Sequence, residues 1–121
     1  EIKHHTVQGG SNIIKLRGRS SFQSPAYNAV KMIEAAMGGE PFTLPAGCYV
    51  NCDKLGYKNV MMAMPTTIDK TGVHFTAPQG TEEEMASLAK SYEHLCKMRD
   101  EIVELGIVPA VADWTKENPN L

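Results

Sequence analysis

Hydrophobic and polar positions fall into distinct regimes along the chain. At the start, Ile2, Val7, Ile13, Ile14 and Leu16 lie at helix-like spacing. Gly9 and Gly10 interrupt them at about 1 kcal/mol each relative to alanine, so residues 1–16 predict a helix with a weak centre that needs tertiary support. Lys15 to Arg19 form a basic turn in which Gly18 permits a bend. Ser24-Pro25 opens a second helix, with Ser24 the expected N-cap and Pro25 the expected first helical residue, where a missing N–H is harmless. Ala26, Val30, Ile33 and Met37 then recur as one buried stripe, and Gly38-Gly39 ends it.

The pattern then changes to strands, over residues 42–52 and 57–65. Phe42, Leu44, Tyr49 and Val50 mark the first, and Pro45 confines it to an edge or a strand start. Asp53-Lys54-Leu55-Gly56 is the link. Val60-Met61-Met62-Ala63-Met64 is apolar on both sides and predicts a buried second strand. Thr66-Thr67-Ile68 continues extended, Asp69-Lys70-Thr71-Gly72 is a turn, and Val73-His74-Phe75-Thr76 begins a third strand of an antiparallel meander. Helical periodicity returns after Thr81-Glu82-Glu83-Glu84. Thr81 and Glu84 make a capping box, and three acids sit where the helix dipole favours them. Met85, Leu88, Tyr92, Leu95 and Ile102 form the apolar stripe, with Arg99 interrupting it, up to Leu105 and a stop at Gly106. Residues 106–121 read as a surface tail that Trp114 anchors to the body or to a partner.

The chain has 121 residues, a formal charge of −2 and 42% hydrophobic residues. That is one globular domain without the basic face a nucleic acid needs. No apolar run approaches the ~20 residues of a membrane span, and the first residues lack the apolar core of a signal peptide. The first residue is Glu rather than Met, so a processed or excised piece of something longer is expected. Cys48, Cys52 and Cys96 are odd in number, which fits a reducing interior and hence a cytoplasmic protein. Their spacing pairs with none of His4, His5, His74 or His94 as a zinc site would require, so no metal is expected and the thiols read as small hydrophobes.

Chemistry is sparse. No G-x-G-x-x-G links a strand to a helix, and no nucleophile elbow is present. The run K-x-R-G-R-S-S-F-Q-S-P places Arg17 and Arg19 beside Ser20, Ser21 and Ser24. Hydroxyls and guanidinium groups at a helix start are good carboxylate or phosphate ligands. A solvated turn with a serine cap is the plain alternative.

Gly9-Gly10, Ile13-Ile14-Lys15-Leu16 and Ser20-Ser21-Phe22-Gln23-Ser24-Pro25-Ala26 resemble the C-terminal domain of the malate and lactate dehydrogenases. In the malate branch this region commonly reads G-G-A-E-I-V-x-L, then G-S-A-F/Y-x-x-P-A. The likeness continues through Leu44-Pro45, Tyr49, the Gly56 turn, Met64-Pro65, Gly72-Val73 and the acidic cap of the last helix. It covers residues 5 to 105, and Pro25 favours the malate branch.

The resemblance implies an α+β fold, an antiparallel sheet packed against long helices. It divides the chain into a substrate domain over residues 1–105, without the family's Rossmann domain, and a tail over residues 106–121. It implies the C-terminal part of an NAD-dependent, oligomeric enzyme of the tricarboxylic acid cycle that interconverts (S)-malate and oxaloacetate. The family's catalytic His, in an H-G-D-like motif, its orienting Asp and its substrate arginines lie upstream of the region matched. No His here is followed by Gly-Asp, so no catalytic residue is expected in this chain, which should be inactive by itself. By position, Ser20 matches the hydroxyl beside the substrate carboxylate. Ser24 and Pro25 match the turn approaching the nicotinamide, although Ser24 replaces the small apolar residue often found there. Arg17 and Arg19 carry over to no substrate arginine; solvent, a subunit contact and the pocket rim all remain open to them. The NAD itself is held mainly by the missing domain. An apolar face should be bare where that domain or a sister subunit packs. Two other readings stand beside this one: a free-standing binding module of the same fold, and a small metal- or thiol-dependent enzyme built on the three cysteines.

Overall fold

The computed structural model describes residues 2–119. They sort into two compact units, one of residues 2–42 with Asp69–Thr71, the other of Thr43–Ile68 with residues 72–119.

In the first unit, α1 (Ile2–Arg17) runs unbroken through Gly9 and Gly10, and none of its residues is buried. Gly18, at φ +71°, turns the chain out of it. Helix α2 (Gln23–Ala36) starts two residues earlier than its proline suggests. Its N-cap is Phe22, which makes no side-chain capping bond, so Ser24 is not the cap and Pro25 is not the first helical residue. The Ala26 N–H already donates to the Phe22 carbonyl at 3.0 Å. Pro25 sits in the third helical position, where its missing N–H still removes no intrahelical bond. The far end closes as the glycine pair predicts. Gly38, at φ +95°, donates to the Ala35 carbonyl at 3.0 Å, and Gly39 donates to the Glu34 carbonyl at 2.8 Å. The helical spacing of the α2 stripe is correct, but its burial is not. Val30, Ile33 and Met37 are 52%, 59% and 83% exposed, and Ala35 is the helix's one buried residue.

In the second unit, β1 (Ala46–Cys52) and β2 (Tyr57–Met64) pair antiparallel, with Ala46 opposite Met64 and Cys52 opposite Tyr57. Asn59 is the extra residue. Val50 pairs with Val60 and Asn51 with Lys58, so Asn59 bulges out at φ +56°. The bulge resets the alternation: Tyr57 points inward before it, and Val60, Met62 and Met64 point inward after it. Together with Cys48 and Val50 these residues form the core. The second strand is therefore buried on one face only. Met61 is 62% exposed, because a two-stranded ribbon covered by one helix has one outer face.

The expected meander is two hairpins. Strands β3 (Thr66–Asp69) and β4 (Gly72–Phe75) form their own two-stranded sheet. Pro65, which has no N–H to give a ladder, separates β2 from β3. The buried Thr66 hydroxyl donates to the Met64 carbonyl at 2.7 Å.

Helix α3 (Glu82–Glu104) lays Leu88, Tyr92, Leu95 and Cys96 on this core. Tyr92 stacks on Tyr57 with ring centroids 4.2 Å apart. Arg99, the break in the stripe, donates through Nη1 to the Asn59 carbonyl at 3.1 Å and so fastens the helix to the bulge. The capping box is formed as predicted. The Glu84 N–H donates to Thr81 Oγ1 at 3.3 Å, and the Thr81 N–H donates to Glu84 Oε2 at 2.8 Å. The Thr81 amide and hydroxyl hold the Glu84 carboxyl below its ordinary range. A carboxyl depressed in the folded state stabilises above its unfolded pKa of about 4.3, and that contribution is lost as the pH falls through the lower folded value. Thr81→Ala is expected to cost about 1 kcal/mol at neutral pH, and less as Glu84 protonates. Urea titrations at neutral and acidic pH would read this, and a cost independent of pH would contradict it.

Gly106, at φ +69°, stops α3, with the Ile107 N–H donating to the Ile102 carbonyl at 3.0 Å. The segment after Gly106 is more ordered than the surface tail expected. It carries a 3₁₀ turn (Val111–Asp113) and a short α4 (Trp114–Glu117). The Trp114 indole N–H donates to the Pro109 carbonyl at 2.8 Å, and its ring lies 6.2 Å from that of Tyr49.

Candidate functional site

The serine–arginine turn of the first unit links α1 to α2. Gly18 reverses the backbone, and Gln23, the first residue of α2, ties the turn together. Its Oε1 accepts from Arg17 Nη1 at 2.9 Å and from Ser21 Oγ at 3.3 Å. Arg19 lies over the Phe22 ring, 5.6 Å from its centroid. No local pattern in the sequence marks Gln23, because a bond across six residues and a glycine turn belongs to no periodicity.

Ser20, Ser24 and Pro25 are all exposed. Ser20 sits in the turn, and Ser24 and Pro25 in the first turn of α2. Neither serine hydroxyl has a hydrogen-bond partner among the described residues, and neither arginine has a carboxylate partner there. The turn therefore presents unused hydroxyls and two uncompensated guanidinium groups on one short segment. Such groups can accept a carboxylate by charge-assisted hydrogen bonds. Nothing in the segment can shuttle a proton at neutral pH.

The four histidines are spread over three elements. His4 and His5 lie on α1, His74 on β4 and His94 on α3. Among the described residues no three His, Cys, Asp or Glu side chains are grouped to hold a metal ion. All three cysteines are free thiols, with Cys48 buried in the core and Cys52 and Cys96 partly buried. No helix among the described residues is long and apolar enough to cross a membrane. A dinucleotide cradle needs a parallel strand–turn–helix with a glycine-rich turn. The sheets here are both two-stranded, β1–β2 antiparallel and β3–β4 joined by the turn after Asp69, and neither carries that turn. The residues present do not by themselves fit NAD.

A helix, the serine–proline turn, a second helix, two hairpins and a long capped helix, in this order, define an α+β domain of the dehydrogenase C-terminal kind. Residues 1–105 match the lactate/malate dehydrogenase, alpha/beta C-terminal domain, and the chain belongs to that family. Among its relatives is a malate dehydrogenase of Geobacillus kaustophilus strain HTA426, 35% identical over 94 residues. Others are a malate dehydrogenase of Anoxybacillus flavithermus strain DSM 21510 / WK1, 34% identical over 94 residues, and one of Sorangium cellulosum strain So ce56, 33% identical over 87 residues. These matches cover 76%, 76% and 71% of this chain. The chain spans about 30% of the length of the relatives it matches.

Proposed function

We propose that this chain is the substrate-side domain of an NAD-dependent malate dehydrogenase and is inactive on its own. The observation that carries the reading is the family match over residues 1–105, which includes the turn where Ser20 holds out an unpartnered hydroxyl. In this reading Ser20 hydrogen-bonds the carboxylate of malate or oxaloacetate. One such bond to a charged group contributes about 1.5–3 kcal/mol. Ser24 and Pro25 form the wall of the pocket on the cofactor side. The cofactor, and the acid–base pair that moves the proton, belong to a Rossmann domain outside these residues. Bound NAD supplies the hydride chemistry; the part played by this chain is to orient the carboxylate and to exclude water.

The apolar faces of the first unit support the reading. Ile2, Leu16 and Met37 are more than four-fifths exposed, and Val7, Tyr27 and Ile33 more than half. Surfaces of this kind are covered in an assembly, here by the rest of the enzyme and by a second copy of it. The free thiols fit the cytoplasm. The test is a steady-state assay of the full-length protein with NADH, comparing oxaloacetate with pyruvate. The reading predicts that kcat/KM for oxaloacetate is the larger. A preference for pyruvate would make the protein a lactate-type enzyme, and no turnover of either acid would overturn the reading.

A further inference from the structure

A cavity of about 260 Å³ lies in the second unit, between β2, the last turns of α3 and Trp114. Its walls are Met61, Leu95, Met98, Ile102 and Trp114. Trp114 lies beyond residue 105, where the family match ends. The indole is set before any ligand arrives, by its bond to the Pro109 carbonyl at one end and by the Tyr49 ring at the other.

Arg99 and Asn59 are the polar groups on the lining, and their bonding selects the ligand. Arg99 is not available to an anion. Its Nε donates to Asp100 at 2.8 Å, its Nη1 donates to the Asn59 and Lys58 carbonyls, and the Asp100 carboxylate neutralises its charge. Asn59 is held by the bulge. Its Oδ1 accepts from the Tyr49 hydroxyl at 2.6 Å, which leaves the amide NH₂ without a partner among the described residues. The lining thus comprises apolar walls, one indole ring, two thioethers and Asn59, whose NH₂ is unpaired among the described residues.

We propose that this cavity binds a compact, uncharged aromatic molecule of one or two fused rings that carries a single acceptor, such as an amide or ketone oxygen. Size supports this class, since an apolar cavity of about 150 Å³ accepts a benzene ring. Chemistry supports it too: Trp114 offers a stacking face, the sulfurs of Met61 and Met98 favour ring edges, and Asn59 offers its NH₂ to the acceptor. A carboxylate would enter with no free cation to meet it.

The test is a titration of the full-length protein, labelled with ¹³C at its methionine methyl groups, with 2-naphthamide. The Met61 and Met98 methyls are expected to show saturable ring-current shifts with a dissociation constant below about 1 mM. Met64, fully buried in the core, Met32 of α2 and Met37 just past its end are expected not to move. Naphthalene-2-carboxylate and cyclohexanecarboxamide are expected to bind at least several-fold more weakly. Trp114→Ala should weaken 2-naphthamide about tenfold, with the Met64 methyl reporting whether the core is intact. Ile102→Trp, at a lining residue that is 39% exposed and outside the core, fills the cavity and should abolish binding even if Trp114→Ala does not fold. The proposal is overturned if Met61 and Met98 do not shift, which includes the case of a protein side chain already seated there. It is equally overturned if all the methionines shift together, or if the carboxylate binds as well as the amide. The established family match and the proposed dehydrogenase activity stand or fall separately.

Discussion

Met64→Ala is expected to destabilise the second unit by about 3 kcal/mol. Met64 is 1% exposed and ends the inward row of β2. Its removal leaves a void in a core that consists of one ribbon and one helix, with few neighbours able to relax into it. The register supplies the control. Met61 lies on the same strand, three residues away, and is 62% exposed on the other face. Met61→Ala is expected to change stability by no more than about 0.5 kcal/mol. Urea titration of both variants, in the full-length protein, checks this. Equal costs would mean that Asn59 does not reset the alternation as described.

Ser20→Ala is expected to have the larger effect on function. If Ser20 supplies one hydrogen bond to a substrate carboxylate, its loss costs about 1.5–3 kcal/mol, or about 10- to 150-fold in kcat/KM for oxaloacetate. Most of the change should appear in KM if the bond is made equally in the ground and transition states. Ser20→Thr keeps the hydroxyl and should retain most of the activity. Because Ser20 is exposed and makes no bond within the described chain, neither variant should disturb folding. Unchanged constants for Ser20→Ala would remove this residue from the pocket.

Local chemistry is the most legible part of the sequence. The box of Thr81 and Glu84 and the glycine stops at Gly38 and Gly106 are decided within a few residues, and each forms as its residues predict. Features that depend on distant partners are less legible. The α2 stripe has helical spacing, yet spacing alone does not say what covers a face, and Val30 and Ile33 are exposed. The run from Val60 to Met64 looks apolar on both sides because its alternation is hidden by methionines and shifted by the bulge at Asn59. No composition rule marks Asn59, whose conformation is fixed by Tyr49 and Asn51 of β1 and by Arg99 of α3, far along the chain. For the same reason Arg99 looks like a flaw in a stripe when it is a latch. In the candidate site, Ser20 is visible through family resemblance rather than local pattern. Gln23, which orders the turn, is visible through neither.

In the proposed function these residues serve an oxaloacetate-reducing enzyme whose other groups lie outside them. The direct measurement is NADH oxidation on addition of oxaloacetate, run side by side on the full-length protein and on the 121-residue chain. Turnover is expected from the first, faster with oxaloacetate than with pyruvate, and none from the second. Turnover by the 121-residue chain alone, or its absence from the full-length protein at saturating NADH and oxaloacetate, would contradict that function.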